Sequence, residues 1–157
     1  LSPIPWFSRW IDKKITEGKS VLLNSEQSRV LMEFTKTDTV ESAIRSIIQD
    51  NNWYNDKHLI SLVREPLLKM CAEYLLLKKR EKGTAFDSVA HFHLNNGASV
   101  EQLNWMADTS VRGIKQSYGL MINYLYDLKL IDINHETYRV GEAIAASQSV
   151  KNLVKNY

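Results

Sequence analysis

The sequence predicts a mostly helical α+β fold with a few strands confined to residues 98–128. Apolar residues recur at helical spacing in successive blocks from Phe7 to Leu75. After Gly97 the texture changes, and the runs Val100–Met106 and Leu120–Leu128 are short enough to fit a strand as well as a helix. Hydrophobic residues make up 44% of the chain and charged residues 24%, the balance of a globular protein and not of a disordered or fibrous one. The length of 157 residues suffices for one domain with a core and falls short of two ordinary ones.

The elements follow in order. Ser2-Pro3-Ile4-Pro5 cannot be helical internally, because proline disfavours helix at the residue before it. Pro5 suits the first turn of a helix carrying Trp6, Phe7, Trp10 and Ile11 on one side. Residues 16–24 read as a connection, after which Asn24 or Ser25 caps a helix with Val30, Leu31 and Phe34 inward. Asp38 and Glu41 stand as in a capping box before Val40, Ala43, Ile44, Ile47 and Ile48, and Asp50-Asn51-Asn52 ends that helix. Asp56 starts another, with Leu59, Ile60 and Val63 inward, expected to break before Pro66. Pro66 opens a stripe through Leu67, Met70, Cys71, Tyr74 and Leu75, read as core. Asp87-Ser88 caps a short helix toward His93, closed by the turn Asn95-Asn96-Gly97. The aromatic pair Tyr124 and Tyr126 favours a strand where Leu120, Met121, Leu125 and Leu128 favour a helix. Residues 142–156 read as a last helix, with Ile144, Val150, Leu153 and Val154 inward.

The charge balance narrows the function classes. Twenty basic and eighteen acidic residues leave +2, too little for an electrostatic footprint on nucleic acid. The basic run Lys78-Lys79-Arg80-Glu81-Lys82 follows an apolar helical stripe and reads as a solvated last helical turn. Cys71 is the one cysteine, so no disulfide forms within the chain, and its apolar neighbours make it a buried small hydrophobe. No apolar run is long enough to span a bilayer, and no membrane partner is expected. The chain opens on Leu1 and not Met, so a further amino-terminal portion with any targeting segment is expected upstream; Lys155-Asn156-Tyr157 is not a peroxisomal Ser-Lys-Leu signal, and the cytoplasm is the expected compartment.

Chemistry has few anchors in the residues alone. Of the four histidines, His91 and His93 would point together on a strand and diverge on a helix, and no further ligand stands nearby, so no metal is expected. There is no Gly-x-Ser-x-Gly elbow and no glycine-rich phosphate loop. Taken alone, Ser2 is a turn serine before proline and His93 a helix-terminal histidine.

A longer pattern changes that reading. Val89-Ala90-His91-Phe92-His93-Leu94-Asn95-Asn96-Gly97-Ala98 leads into Leu103-Asn104-Trp105-Met106-Ala107-Asp108, then Ser110-Val111-Arg112-Gly113-Ile114 and Gly119-Leu120-Met121-Ile122-Asn123-Tyr124. With the opening Leu1-Ser2-Pro3-Ile4-Pro5 and the piece Cys71-Ala72-x-Tyr74-Leu75, this succession resembles the malonyl-CoA decarboxylases. The family's blocks are Phe-His-Leu-x-Asn-Gly-Ala, Asn-Trp-Met-Ala-Asp, Ser-x-Arg-Gly and Gly-Leu-Met-x-Asn-Tyr. Trp6 stands where the family has glycine, His91 where it usually has asparagine, and Ser99-Val100-Glu101-Gln102 is more polar than its counterpart.

The resemblance implies the later part of a GNAT-like acyltransferase fold and an enzyme of fatty acid metabolism that turns malonyl-CoA into acetyl-CoA and carbon dioxide. It maps the catalytic pair onto Ser2 and His93. Asn95, Asp108, Ser110, Arg112 and Tyr126 fall in the matched region as candidates for binding substrate or supporting the pair. A hydroxyl can hold the carboxylate or the thioester oxygen, and an imidazole can deliver a proton to the enolate. The thioester is itself the electron sink, so no cofactor is expected. The implied partners are malonyl-CoA, acetyl-CoA and further copies of the chain. The family's loop for the CoA pyrophosphate precedes Ser2, so this stretch alone is expected to bind malonyl-CoA poorly. Two alternatives stand beside this reading: a GNAT-like decarboxylase that passes acetyl to a carrier-protein thiol, and a non-catalytic helical interaction domain.

Overall fold

A computed structural model describes residues 1–18 and 23–154. The chain forms two compact units, Arg9–Met70 and Leu1–Ser8 with Cys71–Tyr157, where the length suggested one domain. Helices α1 (Phe7–Thr16) and α4 (Lys57–Leu76) each have residues in both.

The unit Arg9–Met70 is helical. After α1 come α2 (Ser25–Thr35), α3 (Val40–Ile48) and a 3-10 turn, Trp53–Asn55, before α4. Asn24 caps α2 through a full capping box with Gln27, as the sequence suggests. The apolar face of α2 is narrower than expected: Leu31 is buried, whereas Val30 and Phe34 are exposed. For α3 the cap is Thr39, accepting from the Ser42 amide, and not Asp38. Ala43, Ile44 and Ile47 line its buried face. Asp56 accepts from the amides of His58 and Leu59 and so starts α4 as expected. Pro66 does not break it: α4 runs unbroken through 20 residues. Its ring removes the donor that the Leu62 carbonyl would have had, at a cost of about 3 kcal/mol. Val63, Leu67 and Met70, with Pro66 itself, are buried along one stripe, and that burial outweighs the lost bond.

The other unit holds the strands. β1 (Ser99–Asn104) and β2 (Met121–Leu125) pair antiparallel, with Val100 opposite Tyr124 and Leu103 opposite Ile122 around a bulge at Glu101. Backbone bridges widen this ribbon on both sides. Ser2 and Ile122 exchange both amide–carbonyl bonds at 2.8 and 2.9 Å, while Val100 bonds to Ala145 and Ser147 on the far edge. Spatially the order is therefore Ser2, β2, β1, then residues 145–147.

Helices α5 (Ser88–Asn95), α6 (Val111–Ser117), α7 (Ile131–Arg139) and α8 (Gln148–Asn152) complete the unit. Asp87 caps α5, and Gly97 closes it at φ 88°, with Ile131's carbonyl only 2.4 Å from where a Cβ would stand. Two expectations fail here. The segment 142–156 is not one helix: residues 143–147 lie extended beside β1, and only α8 is helical. The basic run is not a helix terminus either, since α4 ends at Leu76 and Lys78–Lys82 form a hairpin closed by the Lys79–Ala85 bridge. Residues 19–22 of the predicted connection, and 155–157 of the predicted last helix and carboxyl end, lie outside the described residues.

Candidate functional site

Two segments distant in sequence bring Ser2 and His93 together. Ser2 is fixed by its backbone pairing to Ile122 at the open edge of β2. His93 sits in the last turn of α5, whose register is set by the buried Asp87. Asp87 Oδ1 accepts from the Ala90 amide at 2.9 Å, and Oδ2 accepts from the Tyr74 hydroxyl at 2.9 Å. Burial pushes the Asp87 carboxyl above its ordinary range, against donors that favour the carboxylate.

The imidazole of His93 is held on three sides. Ser2 Oγ lies 3.2 Å from Nε2, and the Tyr126 hydroxyl 2.6 Å from Nδ1. The Tyr124 ring stacks on its face at 4.2 Å between centroids and 20° between planes. Burial draws the His93 pKa below its ordinary value and raises that of the Tyr126 phenol. At neutral pH the ring is therefore uncharged and the phenol protonated. A neutral imidazole carries a single N–H, so the ring donates to one of these two hydroxyls and accepts from the other.

The remaining candidates separate from this pair. Asp108 Oδ1 accepts from both the amide and the hydroxyl of Ser110, and Ser110 Oγ accepts from the Gly113 amide. These bonds, with Arg112's charge a smaller cause, hold Asp108 below the usual carboxylate range. The cluster caps α6, and a Cβ on Gly113 would fall 2.3 Å from Asp108 Cγ, so glycine is required there. Asn95, at the end of α5, is exposed and accepts from His135 through its carbonyl. His91 does not join His93: the helix turns it toward Tyr138, whose hydroxyl lies 2.7 Å from Nδ1. Cys71 is buried, and burial raises its thiol pKa, the state of an inert hydrophobe.

Two residues of the site escape a reading of the sequence. Tyr124 closes the block Gly119–Tyr124 of the resemblance, but its role does not show there, because stacking on a histidine 31 positions earlier has no local pattern. Asp87 is legible as a helix cap, but its bond to Tyr74 crosses between elements. A groove of about 520 Å³ opens between Leu125, Ile133 and Ala145, and its lining includes neither Ser2 nor His93.

The malonyl-CoA decarboxylase C-terminal domain is the family model that matches, over residues 1–157. A curated relative from Anser anser anser, named malonyl-CoA decarboxylase, mitochondrial, is 34% identical over 100% of this chain and 32% of its own length. The Rattus norvegicus protein of the same name is 33% identical with the same coverage. Those names place the relatives in mitochondria and do not carry the cytoplasmic expectation. The crystal structure of malonyl-CoA decarboxylase from Rhodopseudomonas palustris superposes with TM-score 0.82 and 33% identity, over 98% of this chain and 32% of that one. The enzyme from Agrobacterium vitis gives 0.80 and 35%, over 98% and 34%. The chain thus spans about a third of the length of the relatives it matches.

Proposed function

Because the chain belongs to the malonyl-CoA decarboxylase family, we propose that the whole protein removes carbon dioxide from malonyl-CoA to leave acetyl-CoA, with Ser2 and His93 as its catalytic pair. On this reading the chain is the later part of a GNAT-like catalytic domain in a homo-oligomeric enzyme, with a CoA thioester as its only ligand. The observation that carries it is the contact of Ser2 Oγ with His93 Nε2 across 91 residues, with Tyr126 on the other nitrogen.

On this reading Tyr126 donates to Nδ1 and Nε2–H donates to Ser2 Oγ, which frees the serine proton for the substrate. The bond from C2 to the carboxylate breaks, its electron pair enters the thioester, and carbon dioxide leaves. The Ser2 hydroxyl, polarised by Nε2–H, donates to the thioester oxygen where charge develops. One proton is then added at C2 from the pair, and one returns to the pair from water. Tyr126, 41% exposed, is the wet end of the chain of donors through which it re-enters.

The test is carbon dioxide release by the full-length parent protein beside His93→Ala and Ser2→Ala. Each is expected to lose about 10²- to 10⁴-fold in kcat with folding intact, the usual worth of a positioned acid–base group. Wild-type activity in His93→Ala would end the assignment. Carbon dioxide release with the acetyl group found on a carrier-protein phosphopantetheine thiol and little free acetyl-CoA formed would favour the decarboxylase that transfers acetyl instead.

A further inference from the structure

The two hydrogen bonds on His93 leave one motion unconstrained. Partners at Nδ1 and Nε2 fix a line through the imidazole, and the ring can still rock about that line. What stops it lies on the ring's face. Tyr124, opposite Val100 in the middle of the ribbon, presents its phenol ring 4.2 Å from His93 and within 20° of parallel. Phe92 meets His93 only edge-on at 5.2 Å and is 61% exposed, so it cannot define the plane.

We propose that Tyr124 is a positioning residue that sets the plane of the His93 imidazole through its ring, with no contribution from its hydroxyl. This rests on the assignment of Ser2 and His93 above. The hydroxyl is the second observation. It is buried and has no hydrogen-bond partner among the described residues. The nearby acid Asp87 already serves Tyr74 and the Ala90 amide, leaving Tyr124 no assigned donor role there. Burial, and then the neighbouring Asp87, push the Tyr124 phenol far above its ordinary pKa, so it stays a neutral group in a dry place. A phenol there carries a desolvation penalty that a phenyl ring would not.

The experiment compares Tyr124→Phe and Tyr124→Leu in the full-length protein, reading kcat, KM, melting temperature and the carbon-bound proton shifts of His93 by NMR. Phenylalanine keeps the stacked face. It is expected to retain kcat and the ring-current shift of His93, and to melt about 2–4 °C higher. Leucine keeps an apolar filling without a plane. It is expected to lower kcat about 10- to 100-fold with KM little changed, the scale of a misplaced reacting group, and to lose the shift. Equal losses of kcat in both variants would assign the work to the hydroxyl and overturn the proposal. So would wild-type kcat in Tyr124→Leu. The NMR shift separates this from the underlying assignment. If His93→Ala keeps full activity while Tyr124→Leu still moves the His93 resonances, the stack stands and the catalytic role of His93 falls.

Discussion

His93 sits where its protonation decides which way two hydrogen bonds point. With its pKa drawn down by burial, the neutral form holds across and above the ordinary histidine range. Acid leaves a proton on both ring nitrogens, so neither can accept from its hydroxyl partner. We therefore expect kcat/KM to be level above about pH 6.5 and to fall as pH drops through the depressed His93 pKa. A pH–rate profile that rises toward acid would show that the cationic ring is the working form. On the proposed tautomer, Tyr126→Phe removes the donor at Nδ1. A single hydrogen bond is worth about 1–1.5 kcal/mol, so kcat should fall about tenfold. Of this site, Ser2 and His93 were legible because the motif blocks of the resemblance include them. Tyr126 was legible as a candidate with no defined partner. Tyr124 also stands in one of those blocks, but its part in the site was not legible, since a stack between a strand and a helix is made only by the tertiary fold.

At the level of elements, α5 is the part on which the site depends. Asp87→Ala would remove its cap, worth about 1 kcal/mol, and leave the Tyr74 hydroxyl without its carboxylate, worth about 1–3 kcal/mol more. Asp87→Asn keeps the cap, its one carbonyl oxygen accepting from the Ala90 amide, and turns an NH2 toward the Tyr74 hydroxyl, which can accept from it. Chemical denaturation should show the alanine variant losing about 2–4 kcal/mol and the asparagine variant well under half of that; equal losses would mean that the charge, and not the cap geometry, is what matters. Caps were the most readable feature of the helices, as Asn24 and Asp87 show. Where the reading slipped, another force overrode the local one. Burial on both sides of Pro66 carried α4 through a residue that should have ended it. The bonds of Val100 drew 145–147 into the sheet although Ile144 and Val150 fit a helical period. Helices α6 and α7 passed unread because their few apolar positions are short of a full stripe.

Across the whole chain, two histidines share a sensitivity to acid. The Tyr138 hydroxyl accepts from the Ala85 amide and lies 2.7 Å from His91 Nδ1, as the Tyr126 hydroxyl lies 2.6 Å from His93 Nδ1. Burial lowers the pKa of both rings in the folded state. The unfolded chain then binds more protons, so their contribution to stability is full above about pH 6.5 and is lost as pH falls through the folded values. Urea midpoints should drop across that window, and His91→Asn should flatten part of the drop. A midpoint that is level from pH 7.5 to 5 would show that neither ring is coupled to folding.

Ser2 has one more consequence, in time. Its bonds to Ile122 close about three quarters of the length of the chain, whereas those inside α5 join neighbours. Contacts between remote segments must overcome the entropy of the loop they close before they return any energy, so they form late. During refolding, pulsed hydrogen exchange should find the His91 amide, bonded to the Asp87 carbonyl, protected before the Ile122 amide that bonds to Ser2. The neighbourhood of Ser2 would thus be the last thing the chain finishes, and competence would mark complete folding more strictly than helix content does.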